Sequence, residues 1–234
     1  MRYSAVIFDL FGTLVPDIMG PFYQVVAEEM AKVLSVPADQ FSELWFGTVY
    51  ERNIGIFQTI EDNISHICKK LNAVVNENQV FQAAQIRYKY VQQTMNSPRK
   101  GALETIVELR NKSVKTGLLS DCSSSEEEIW PITPFPALFD VTVFSSEVKL
   151  KKPDIKIYQL AADSLQIKVN ECIYVGNGGS NEIEGAYNSG MFPVLILPED
   201  TTIPDLLPDK AIIEYAHANG SVINNLDEIL RIFK

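Results

Sequence analysis

Five short apolar runs of strand-like composition, at residues 5–8 (AVIF), 116–119 (TGLL), 141–144 (VTVF), 172–175 (CIYV) and 193–197 (PVLIL), alternate with helical patterns along the chain. That alternation constrains the fold more than any other feature, because strands separated by helical crossovers assemble into a parallel sheet. One interval breaks the rhythm. Residues 16–98 hold no strand-like run but four helical ones: PFYQVVAEEMAKVL, DQFSELWFGTVYERN, TIEDNISHICKKL and NQVFQAAQIRYKYVQQTM. Their apolar residues fall three and four apart, and the breakers Pro21, Pro37, Gly55 and Pro98 bound them. An interval of that size is a domain rather than a loop. The expectation is an α/β fold: a Rossmann-like parallel sheet core from residues 1–15 and 99–234, with a helical domain inserted over 16–98. Residues 201–210, with Pro204 and Pro208, read as a surface loop, and the terminal LDEILRIFK as a closing helix.

With 234 residues, 46% of them hydrophobic and 10% aromatic, the chain has the makings of a substantial core. A net charge of −10 argues against a nucleic-acid surface, which needs clustered Lys and Arg, and leaves only a local basic pocket open. Cys68, Cys122 and Cys172 are odd in number, widely spaced and form no CxxC pair. Neither a disulfide framework nor a zinc site is indicated, and a reducing, cytoplasmic setting fits. The N-terminal MRYSAVIFDLFGTLV has one Arg and an apolar run interrupted by Asp9, too short to span a bilayer, and lacks a small-residue cleavage signal. Neither export nor a membrane anchor is expected.

In an open parallel sheet, ligands bind beyond the carboxyl ends of the strands. Four stretches bring chemistry to that edge. Asp9 directly follows AVIF and precedes Gly12 and Thr13, small residues that allow a sharp turn with free amides. Ser120 follows TGLL and opens SDCSSS, where a hydroxyl and exposed amides suit an oxyanion. Lys152 precedes Pro153, which keeps it out of a helix beginning near Asp154. The last, YVGNGGSNEIEGAYNSGM, is a strand breaking into a glycine-rich turn with Asn177, Asn181 and Glu182. Together they supply a nucleophile, an anion hole, a cation and a polar cluster suited to a metal. Any one of them alone reads as a turn residue or a solvated charge; the ordered set carries the inference.

In order and spacing the four stretches resemble the motifs of the haloacid dehalogenase-like hydrolase superfamily, in the branch whose helical cap follows the first motif. FSSEVKLKKPDIKIY and GGSNEIEGAYNSGM look like this family over long stretches. The resemblance implies that Asp9 is a nucleophile oriented by Thr13, and that Ser120, Lys152 and the amides at Gly12 and Asp121 hold the substrate's phosphate. It implies Mg²⁺ on Asp9, the carbonyl of Phe11, Asn177 and Glu182, and a small phosphorylated metabolite as substrate. Arg52 is either a cap residue reaching that substrate or an exposed helical charge. Tyr158 reads as core, Gly178 and Gly179 as turn formers, and His66 and His217 have no partner at ligand spacing.

Two positions depart from the family's phosphatases. Phe11 stands where they carry a second aspartate that protonates the leaving group, and aromatic residues there resemble the 2-haloacid dehalogenases, which need no such proton. Asn177 stands where an aspartate usually ligates the metal, and an amide oxygen brings no charge to a hard cation. The sequence therefore favours a Mg²⁺-dependent phosphatase, with a haloacid dehalogenase-like hydrolase and a degenerate phospho-ligand-binding protein as alternatives.

Overall fold

The computed structural model describes residues 2–19, 22–197 and 208–233, so most of the loop expected at 201–210 lies outside the described residues. Six strands pair in parallel: β1 (Ala5–Phe8), β2 (Lys115–Ser120), β3 (Val141–Phe144), β4 (Cys172–Gly176), β5 (Phe192–Ile196) and β6 (Ser221–Ile223). Their order is β3-β2-β1-β4-β5-β6. The chain builds outward from β1 on one side and returns to its other side with β4, which places a topological switch point at the end of β1. Five strands lie where the apolar runs predict them. The three-residue β6 has no run of its own.

All four residues of β1 are fully buried, because both faces of the sheet are covered. Val6 and Phe8 pack with Leu118, Ile173 and Val175, while Ala5 and Ile7 point the other way towards Tyr158, Ala161 and Tyr174. In register, Phe8 lies opposite Leu118 on one side and Val175 on the other. The residues that follow these strands thus emerge at one edge.

The described part of the inserted interval holds five helices and no strand: α1 (Phe22–Leu34), α2 (Ala38–Gly47), α3 (Val49–Asn53), α4 (Ile60–Lys70) and α5 (Glu77–Met95). It has an apolar cluster of its own around Met30, Phe41, Trp45, Ile64 and Ala83. Helices α4 and α5 open with reciprocal caps, Thr59 with Asp62 and Asn76 with Gln79, and each N-cap side chain stabilises its helix by about 1 kcal/mol. The second expected helix is divided at Thr48, whose hydroxyl donates back to the Leu44 carbonyl (2.9 Å). Near its end α5 leaves this cluster, and Val91 and Met95 join the packing against the sheet.

Beyond the insertion come α6 (Ala102–Asn111), α7 (Ser124–Ile129), α8 (Ser145–Val148), α9 (Ile155–Ser164), α10 (Glu182–Ser189) and α11 (Lys210–Asn219). The closing segment is helical, a 3₁₀ helix over Leu226–Phe233. Its Ile229 and Phe233 cover the same face of the sheet as Ile106 and Leu109 of α6. Among the described residues no helix is long and apolar enough to cross a membrane.

Candidate active site

Past β1 the backbone donates from the Asp9 amide to the Val175 carbonyl (2.9 Å) and then turns sharply, with Leu14 and Val15 amides both reaching Leu10 O. Gly12 sits at φ +79°, and a Cβ there would lie 2.0 Å from Asn177 Nδ2. Glycine is therefore required both by the backbone and by the neighbouring turn. Asp9 is 5% exposed, and Thr13 and Ser120 beside it are fully buried. The Ser120 hydroxyl oxygen has no hydrogen-bond partner, while the Thr13 hydroxyl interacts with Asp9 and favours its charged form. A buried hydroxyl at a strand end with no partner is a polar group free to donate.

Lys152 joins the first and fourth motifs. Its Nζ donates to Asp9 Oδ1 (2.5 Å), to Glu182 Oε2 (2.6 Å) and to the Tyr174 hydroxyl (3.2 Å). The Lys152 amide is fixed in turn by Asp121 Oδ1 (3.0 Å), and Asp121 Oδ2 lies 3.4 Å from Lys151 Nζ. The carboxylate of Asp121, expected to matter through its amide, thus holds the lysine loop. Burial would lower Lys152, but the attraction of Asp9 and Glu182 outweighs it and holds the ammonium above its ordinary range. Asp9 is pushed up to about 7, chiefly by burial, with Lys152 working against that rise.

The fourth motif forms a tight turn with Gly178, Ser180 and Asn181 all at positive φ. Glu182, the first residue of α10, is fully buried. Its Oε2 takes the Tyr174 hydroxyl (2.6 Å) as well as Lys152, and its Oε1 takes the Gly178 amide (3.0 Å). A Cβ on Gly176 would lie 2.2 Å from that Oε1, so the glycine makes room for the acid. Glu182, expected as a metal ligand, has hydrogen bonds on both oxygens and shares Lys152 with Asp9. Asn177 is half-buried and accepts from the Gly179 amide (3.2 Å).

Asp9, Phe11, Arg52, Asp121, Lys152, Asn177 and Glu182 all line one cavity of about 260 Å³. Gly12, Thr13 and Ser120 are buried beside Asp9. Magnesium asks for hard oxygens, commonly one or two carboxylates completed by substrate phosphate and water. Asp9, Phe11 and Asn177 offer a carboxylate, a main-chain carbonyl and an amide, and two carboxylates sharing the single Lys152 leave one negative charge over. Among the described residues no three His, Cys, Asp or Glu are grouped to hold a metal unaided. The donors fit Mg²⁺ as a low-charge site.

From the inserted helices, Arg52 reaches the cavity and is 3% exposed, not a surface charge. Its Nη1 donates to Trp45 O (2.7 Å), Thr48 Oγ1 (2.9 Å) and Asn63 Oδ1 (2.8 Å), and its guanidinium stacks on the Trp45 ring at 3.9 Å. Tyr158 is core as expected, its hydroxyl donating to Glu182 O (3.0 Å). Three polar residues escaped the sequence reading: Tyr174, Arg87 and Glu126. Arg87 carried a signal, since Val80, Ala83, Ala84, Arg87 and Val91 form one buried stripe of α5 and arginine is foreign to such a stripe.

The chain is similar to known proteins. A glyceraldehyde 3-phosphate phosphatase of Methanothermobacter thermautotrophicus is 26% identical over 148 residues, which is 63% of this chain and 62% of that relative's length. A HAD phosphatase from Thermococcus onnurineus superposes with a TM-score of 0.64 at 19% identity, covering 98% of this chain and 97% of the other. The L-2-haloacid dehalogenase of Xanthobacter autotrophicus does so at 0.63 and 18%, covering 99% and 98%; at such identities both share the fold. The family model of the haloacid dehalogenase-like hydrolases matches residues 3–190, and the chain belongs to that family.

Proposed function

We propose that this protein is a phosphatase of small phosphorylated metabolites in which Asp9 attacks phosphorus and carries the phosphoryl group as an aspartyl phosphate. The observation that carries this reading is a buried carboxylate at the switch point, 2.5 Å from a lysine ammonium, with the Thr13 hydroxyl interacting with it and the buried Ser120 hydroxyl unpartnered at the end of the neighbouring strand. The relatives named as phosphatases support the phosphoester class. In the first step an Asp9 oxygen bonds to phosphorus as the bond to the leaving oxygen breaks. Lys152, the Ser120 hydroxyl and the amide at Asp121 offset charge on the phosphoryl oxygens, and Thr13 orients Asp9; the Gly12 amide, expected to join them, donates instead to the Val15 carbonyl (2.9 Å) and shapes the turn. Water then cleaves the aspartyl phosphate. Phe11 can move no proton in either step. Asp9, the Phe11 carbonyl and Asn177 would hold Mg²⁺, which when bound supplies positive charge against the mutual repulsion of carboxylate and phosphate. The helices of 16–98 act as a cap that sets substrate choice.

Phe11 also favours a second reading, displacement of halide from a 2-haloacid, where no leaving-group proton is needed. Incubation with para-nitrophenyl phosphate, with and without Mg²⁺, tests the first: phenolate should be released and Asp9→Asn should not release it. Halide release from 2-chloropropionate without phenolate would support the second reading. Neither product, with phosphate still bound, would make the protein a phospho-ligand binder.

A further inference from the structure

Arg87 and Arg52 line the same cavity as Asp9. Arg87 is 3% exposed and lines it. Its Nη2 donates to Glu126 Oε1 (2.5 Å), and the guanidinium lies 5.2 Å from the Tyr23 ring centroid. Nε and Nη1, which carry three N–H donors, have no partner. Glu126 cannot answer them, because its other oxygen already accepts from the Ser123 amide (2.9 Å), the Ser123 hydroxyl (2.6 Å) and the Ser125 hydroxyl (3.0 Å). Arg52, on the same wall, is held by neutral oxygens and forms no ion pair with a carboxylate among the described residues. Asp17 lines the cavity half-buried and takes the Met19 amide (2.7 Å). Two buried guanidiniums thus face one buried carboxylate. A buried cation without a counter-charge is strongly disfavoured, and three unmade hydrogen bonds add to that.

We propose that Arg87, helped by Arg52, binds a carboxylate at the far end of the substrate, so that the substrate class is a small phosphomonoester of a hydroxy acid. This rests on the phosphatase reading and narrows it. The glyceraldehyde 3-phosphate named for a relative carries no such carboxylate, so this chain is expected to differ from that protein in choice.

Two ligands of nearly one shape separate the possibilities: 3-phosphoglycerate carries a carboxylate where glycerol 3-phosphate carries a hydroxymethyl group. Calorimetry on the Asp9→Asn variant, which should not turn them over, should show the acid binding at least about ten-fold tighter. In the Asp9→Asn protein that also carries Arg87→Lys, a cation remains to face Glu126 but the guanidinium donors are gone, and the preference should fall to about two-fold or less. Arg87→Met should give the same loss where it folds, judged by thermal melting. Equal affinity for the two ligands in the Asp9→Asn protein would overturn the proposal, as would a preference that survives Arg87→Lys. If neither ligand nor inorganic phosphate binds, and the wild-type protein releases no phenolate from para-nitrophenyl phosphate, the phosphatase reading itself fails and takes this one with it.

Discussion

Phe11 is half-buried against the core and lines the cavity two places after Asp9, and under the proposed function its side chain can move no proton. General acid–base assistance is worth about 10²- to 10⁴-fold. Rates should therefore fall steeply as leaving-group pKa rises, and Phe11→Asp should raise kcat/KM on an alkyl phosphate by about 10²-fold, with stability reduced by about 2 kcal/mol for the lost ring. A flat dependence of the chemical step on leaving-group pKa would assign the proton to another group. Asp9→Asn should reduce turnover by about 10⁴-fold or more with the melting temperature kept, because an isosteric amide still fills the turn. Asn177→Asp restores a charge to the cavity wall and should tighten Mg²⁺ by roughly ten-fold in a calorimetric titration; unchanged affinity would remove residue 177 from the metal's surroundings. These residues were readable because strand ends expose side chains in a fixed order along the chain. Glu182 was readable as an acid at the site but not as the partner of Lys152. That depends on Tyr174 and Gly178 closing around it from a strand and a turn whose approach no spacing encodes.

Strands β1, β2, β4 and β5 were legible because burial from both faces makes each a short apolar block; of the two half-buried edge strands, β3 still offers the four-residue run VTVF, whereas β6 offers only three residues and no block. The split of the second inserted helix was hidden for a different reason, since Thr48 competes for helix carbonyls through a side-chain bond that periodicity ignores. A further device holds β2 to β3. Asp140 Oδ2 accepts from the Thr116 amide (2.9 Å), and Lys115 and Arg110 lie 3.3 and 3.4 Å from its carboxylate. Burial pushes Asp140 up, but the amide and the two cations outweigh it and hold the group below its ordinary value. A carboxyl depressed in the fold contributes stability above its unfolded value of 3.8, and that contribution is lost as pH falls through the folded one. Asp140→Ala should cost about 1 kcal/mol at pH 7, with the solvent-screened ion pairs adding little. In urea titrations the difference between the two proteins should shrink below pH 3.

Two bodies of apolar packing, one around the sheet and one among the inserted helices, are joined by α5, which contributes to both. The sequence showed the interruption but not this sharing, because a helical repeat says which face is apolar and nothing of what will cover it. The same helix sends Arg87 to Glu126 and Tyr88 to Glu128 (3.0 Å), two acids of α7. Helix α7 follows directly on the loop that Ser120 opens, and Ser123 of that loop shares Glu126 with Arg87. Under the proposed function, any movement of α5 would pull on the segment proposed to hold the substrate's phosphate. If substrate enters by such a movement, raising solvent viscosity should slow binding and turnover together.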